Sequence, residues 1–197
     1  MKKNLTMIAA LALAVCIGIG GTLAYLTDKT DSIVNTFTIG NVDISLNETT
    51  GTLTDGKRVH TLVPGTNIDK DPKVTVTSGS ADCYLFVKVD KQTDVDTYLN
   101  ITMDSAWTAL GDSYPGVYYY NNTTITQGTA LSVFANDKVG VKTTVNAIAP
   151  NAQIDVTITA YAIQKEGITQ GSYSSAYEAA WNAGAAGTSA GGWATNA

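Results

Sequence analysis

From Asn35 onward, apolar side chains recur at alternate positions, with β-branched and aromatic residues set against Thr, Asp, Ser and Lys over most of the chain. A period of two matches a pleated strand with one covered and one wet face, so the body is restricted to β-structure. Phe37 and Ile39 occupy odd positions and Val42, Ile44 and Leu46 even ones, which predicts a single strand bent by a β-bulge at Gly40. Further strands are expected over 73–77, 81–91, 117–121, 130–135, 139–147 and 153–163. In the second of these, Cys83, Leu85, Val87 and Val89 share one face and Tyr84, Phe86 and Lys88 the other, so both faces should be partly covered. In the last, Ile154, Val156, Ile158, Ala160 and Ala162 face inward. Between Asn35 and Ile163 no segment shows a helical repeat.

Turn chemistry separates the strands at Thr54-Asp55-Gly56, Val63-Pro64-Gly65, Ser78-Gly79-Ser80, Tyr114-Pro115-Gly116, Gln127-Gly128 and Ala149-Pro150-Asn151. Short strands punctuated in this way, with no helices between them, predict an all-β fold of antiparallel sheets closed as a jelly-roll-like β-sandwich, and they exclude a parallel βαβ fold. One short C-terminal helix is expected, opened by capping-box spacing in Ser175-Ala176-Tyr177-Glu178 and stopped at Gly184. Its face of Tyr173, Tyr177, Ala180 and Trp181 should cover a sheet edge or an end of the sandwich. Beyond Gly184, an Ala/Gly/Ser/Thr-rich stretch is expected to form a flexible tail, with neither a hydrophobic anchor nor an LPxTG-type sorting signal.

The first 24 residues read differently. Lys2 and Lys3 precede 13 uncharged residues, Met7 to Ile19, and Gly20-Gly21-Thr22-Leu23-Ala24 then offers the small residues a signal peptidase requires. This is the pattern of a secretory signal peptide, too short for the roughly 20 apolar residues of a membrane span. A lipoprotein would need a small residue before Cys16, where Val15 stands. Cleavage after Ala24 leaves 173 of the 197 residues and makes Cys83 the sole thiol, so no intramolecular disulfide is available. The full chain has 12 Lys+Arg against 17 Asp+Glu; losing Lys2 and Lys3 takes the net charge from −5 to −7. Such a chain lacks the concentrated positive field that nucleic-acid binding needs.

The residues point to no reaction. A zinc protease sets two His one helical turn apart with a Glu between them, and His60 is the chain's only histidine. Cys83 lies in the apolar register of a strand, where a thiol is buried and inert, and no G-x-S-x-G elbow occurs. No cofactor is expected; Asp69-Lys70-Asp71 and the carboxylates of 90–96 could hold calcium but lack the twelve-residue loop pattern. The N-x-T triplets at Asn47, Asn100, Asn121 and Asn122 are common by chance in a Thr-rich chain. Tyr118-Tyr119-Tyr120 offers rings for a sugar or a partner, although alternation turns Tyr119 away from the other two.

Several stretches together resemble the TasA/camelysin family: Gly20-Gly21-Thr22-Leu23-Ala24 running into Tyr25-Leu26-Thr27-Asp28, and Asn35-Thr36-Phe37-Thr38-Ile39-Gly40-Asn41-Val42-Asp43-Ile44. The likeness continues in Leu62-Val63-Pro64-Gly65, Asp71-Pro72-Lys73-Val74, Cys83-Tyr84-Leu85-Phe86-Val87-Lys88-Val89 and Ala160-Tyr161-Ala162-Ile163-Gln164. The resemblance implies a jelly-roll sandwich exported by Gram-positive bacteria through a SipW-type signal, cut between Ala24 and Tyr25 by a dedicated signal peptidase, and used as a biofilm matrix fibre subunit. It implies a leader over 1–24, a strand-donating arm over 25–36, a body over 37–165, and a helix with tail over 166–197. Tyr25, Leu26, Ile33 and Val34 are the arm's apolar residues, available to fill a groove in the next copy. The implied partners are that peptidase, further copies of the chain and an anchoring or accessory matrix protein, with membrane contact only through the leader. The camelysin branch supplies a rival, a casein-cleaving surface metallopeptidase, and a monomeric adhesin is a third possibility.

Overall fold

A computed structural model describes residues 41–147 and 153–188. The leader ending at Ala24, the arm with Tyr25, Leu26, Ile33 and Val34, the bend expected at Gly40 and the turn at Pro150-Asn151 all lie outside these residues. The strands are β1 (Ile44–Asn47), β2 (Thr52–Thr54), β3 (Lys57–Val59), β4 (Asn67–Asp69), β5 (Lys73–Val76), β6 (Cys83–Lys91), β7 (Leu99–Asn100), β8 (Trp107–Ala109), β9 (Val117–Tyr120), β10 (Ala130–Ser132), β11 (Lys138–Val141) and β12 (Val156–Gln164). Two helices, α1 (Val95–Tyr98) and α2 (Ala176–Thr188), and two 3₁₀ turns complete the described elements.

Every strand pairing is antiparallel. The sheets run β1-β5-β10, β4-β11-β7 and β12-β6-β9-β8, with β2-β3 as a separate hairpin. The fold is thus antiparallel all-β with one longer helix near the C-terminus, an arrangement compatible with a jelly-roll-like sandwich.

The β6 strand explains the layering. Its odd residues Cys83, Leu85, Val87 and Val89 are buried in the main core with Val74, Val76, Val133, Phe134, Val139 and Val141. On its opposite face Phe86 is fully buried in a second cluster with Val117 and Ala180, flanked by Tyr84, Tyr119, Tyr161, Tyr177 and Trp181. Both faces of this sheet are therefore covered, as the alternation predicted. Ile154, just before β12, and Val156, Ile158 and Ala162 within it pack on the main core and Tyr161 and Ile163 on the second cluster, in the expected parity.

Several expectations are corrected. The α2 helix lies over the face of the β12-β6-β9-β8 sheet, not over an edge or an end, and packs the half-buried Tyr177 and Trp181 against that sheet's aromatic rings. It does not stop at Gly184 but continues to Thr188. Tyr177, Ala180, Trp181 and Gly184 recur at helical spacing, and Gly184 is buried, so packing of this stripe offsets the roughly 1 kcal/mol penalty of an interior glycine. The strand expected over 139–147 ends at Val141 and turns into a 3₁₀ segment, Thr143–Ala147. The one-turn helix α1 interrupts a stretch read as free of helix.

Candidate functional site

The β2-β3 hairpin is the part of the body least occupied by packing. Its turn is Asp55-Gly56, with φ of 48° and 77°, the two positive angles that a tight two-residue hairpin requires. Register pairs Thr52 with Val59, Leu53 with Arg58 and Thr54 with Lys57. All six residues are exposed, Leu53 to 62% and Val59 to 52%. An isolated two-stranded ribbon is marginal in water, so its base has to hold it.

That base is a polar latch. Glu48 follows β1 and His60 follows β3, and their side chains meet at 3.2 Å across the stem. Lys70 donates to both carboxylate oxygens of Glu48 at 2.9 Å. All three side chains are about 14% exposed, at 15%, 13% and 14% respectively, so Lys70 and Glu48 pair in a partly dry site where attraction is less screened. The neighbouring Asp71 accepts hydrogen bonds from the Thr49 amide (2.9 Å), the Thr50 amide (2.9 Å), the Thr49 hydroxyl (2.5 Å) and the Thr50 hydroxyl (2.9 Å). Burial alone would raise its pKa, but these four bonds, the Thr49 hydroxyl foremost, hold it well below the usual carboxylate range. Gly51 sits under the His60 ring, where an added Cβ would come within 2.7 Å of two ring atoms. From sequence, His60 stands alone and the carboxylates of Asp69-Lys70-Asp71 are only a possible calcium loop, so this latch is not anticipated. The spacing of Glu48 and His60 around an Asp-Gly turn was the available signal.

The other residues named from sequence disperse. Asp69 is paired with Lys138, Asp90 with Lys88 and Asp96 with Lys91, so these carboxylates face separate lysines. Among the described residues, no three His, Cys, Asp or Glu side chains gather into a group that could hold a metal ion. Cys83 is buried, and that burial pushes its thiol up to about 11, with Lys165 pulling down and Asp82 pushing up. The triple tyrosine divides as alternation required: Tyr118 and Tyr120 pack on the main core, while Tyr119 stacks on Tyr177 with centroids 4.0 Å apart. Tyr120 also meets Trp107 edge-on, and the Trp107 indole donates to the Ser132 carbonyl at 2.8 Å. The three half-buried rings thus divide between the two layers.

The α2 start follows capping logic displaced by one residue. The Ser175 hydroxyl accepts from the Glu178 amide at 3.1 Å, but the Glu178 carboxylate reaches back to the Ser174 amide (2.8 Å) and hydroxyl. The bonds from Ser174, its hydroxyl first, lower the Glu178 pKa, with the Tyr114 hydroxyl adding to them. Asn182 ties the same tyrosine to the helix, donating to its oxygen at 2.7 Å.

No helix among the described residues is long and apolar enough to cross a membrane. No curated protein and no solved structure matches the chain. A family model described as camelysin metallo-endopeptidase matches residues 1–123, more than half of the chain and reaching past β9. By that match the chain belongs to the camelysin family, the family that includes TasA.

Proposed function

We propose that the protein is a secreted structural subunit, cut after Ala24 by a dedicated signal peptidase and assembled outside the cell into biofilm matrix fibres. In this reading residues 25–36 of one copy add as a strand to the next, with Tyr25, Leu26, Ile33 and Val34 docking in its groove. The observation that carries the reading is the open topology. Among the described residues each main sheet has two terminal strands and none closes into a barrel, so strand addition has edges on which to act. Family membership supports a secreted or cell-surface location. The leader supports export, and the position of Tyr25 beside the cut makes cleavage the step that releases the arm.

Deleting residues 25–33 from the mature protein is expected to leave a folded monomer; electron micrographs showing fibres of normal length from that variant would contradict strand donation. The family's description favours a second reading, a metallo-endopeptidase. The described residues do not fit a zinc centre: His60 is the only imidazole, and Lys70 holds both oxygens of the carboxylate beside it. Incubating mature protein with casein, with and without a chelator, separates the readings, since chelator-sensitive cleavage would establish the enzyme.

A further inference from the structure

The two ends of β6 carry different exposed groups. The chain enters the described fold at Asn41, whose carbonyl accepts from the Ala81 amide at 2.9 Å, next to the start of β6. Asp43 is tied to Ser80 there, and the Lys165 amide donates to the Asp82 carbonyl at 2.8 Å, which brings Glu166 to the same end. Asp43, Asp82 and Glu166 are exposed, and none has an ion-pair partner among the described residues. Lys165, the nearby cation, donates to the Thr123 carbonyl.

The hairpin stands at the other end of β6. Lys57 pairs with Asp155 at 3.3 Å, and Asp155 exchanges hydrogen bonds with Gln92, immediately after β6. At about 3.3 Å per residue, the nine residues of β6 separate the two ends by roughly 27 Å. The cross-strand pair Leu53 and Arg58 lies on the hairpin face opposite Lys57, and both side chains are exposed. Arg58 is the chain's only arginine, and among the described residues it has no carboxylate partner, only the Gly51 carbonyl at 3.4 Å. The latch of Glu48, His60, Lys70 and Asp71 fixes this face in place, which lowers the entropy lost on docking.

We propose that the hairpin is the docking element between successive copies, with Leu53 and Arg58 of one copy seated against Asp43, Asp82 and Glu166 of its neighbour. The inference rests on strand donation as the mode of assembly. In the chain cut after Ala24, residues 25–40 precede Asn41, so a donated arm is joined to the body at the acidic end. A fibre that grows without closing joins unlike ends of successive copies. The end opposite the arm's departure presents Leu53 and the guanidinium of Arg58, the latter opposite in charge to that acidic end, with the Asp55 carboxylate set apart at the hairpin tip.

Cross-linking tests the contact, because Cys83 is buried and stays silent toward maleimides. Mature Leu53→Cys and mature Glu166→Cys are mixed under assembling conditions with a short bismaleimide. A mixed cross-linked dimer is expected, with neither variant linking to itself. In parallel, Arg58→Glu is expected to slow elongation about tenfold at low salt, the gap narrowing as salt rises, with monomer circular dichroism unchanged. Adding Asp82→Lys and Glu166→Lys to Arg58→Glu should restore elongation. Absence of the mixed dimer, self-linking of Leu53→Cys, or parental elongation by Arg58→Glu overturns hairpin docking while fibres of the parent leave strand donation standing. A parent that never assembles, or that assembles equally well without residues 25–33, overturns the mode of assembly and this contact with it.

Discussion

Asp71 has four donors around one carboxylate, and their effect can be measured by titration. Its folded pKa lies below the ordinary 3.8, so the unfolded chain binds that proton more readily. Asp71 therefore contributes its full stability above about pH 4 to 5 and loses it as pH falls toward the folded value. Asp71→Asn is expected to lower Tm at pH 7 by several degrees and to flatten the decline of Tm between about pH 5 and pH 2 relative to the parent, as followed by circular dichroism. Gly116 makes a second residue-level test. Its φ is 74°, and an added Cβ would sit 2.6 Å from the Val89 carbonyl oxygen, whose strand it adjoins through the Val89 amide bond to the Gly116 carbonyl. Gly116→Ala should cost about 2–4 kcal/mol in urea unfolding, since neither the backbone angle nor the neighbouring strand can yield cheaply.

The elements show what alternation can and cannot convey. β5, β6, β9 and β12 were legible because each has at least one covered face, so burial writes a period of two into the residues. In β2 and β3 every residue is exposed, leaving nothing to alternate, and only Asp55-Gly56 marked the place. β4, β7 and β8 have three, two and three residues, too short for any period, and their pairing is set by the strands beside them. The α2 boundary failed for the opposite reason, since Gly184 reads as a stop until the face it packs on is known. That face gives a prediction for the element. Trp181 meets Phe86 and Tyr161 edge-on at 5.5 and 5.4 Å, so Trp181→Ala should destabilise the helix cover by about 2–3 kcal/mol. Increased binding of a hydrophobic dye, with the strand signal in far-UV circular dichroism retained, is the expected outcome.

For the molecule as a whole, charge, the lone histidine and the leader narrowed the function more than any site residue did. The polar latch and the two unlike ends could not be read from spacing, because Glu48, His60, Lys70 and Asp71 meet only after β1, the hairpin and β5 have taken their places. The double-faced sheet also divides the indoles between its sides: Trp107 belongs to the main core and Trp181 to the helix-covered cluster. Each indole is therefore an optical probe of one layer. In a chain with Trp193 replaced by phenylalanine, emission from Trp181→Phe should follow the strand body, and emission from Trp107→Phe the peeling of the helix, so stepwise and concerted unfolding become distinguishable by colour.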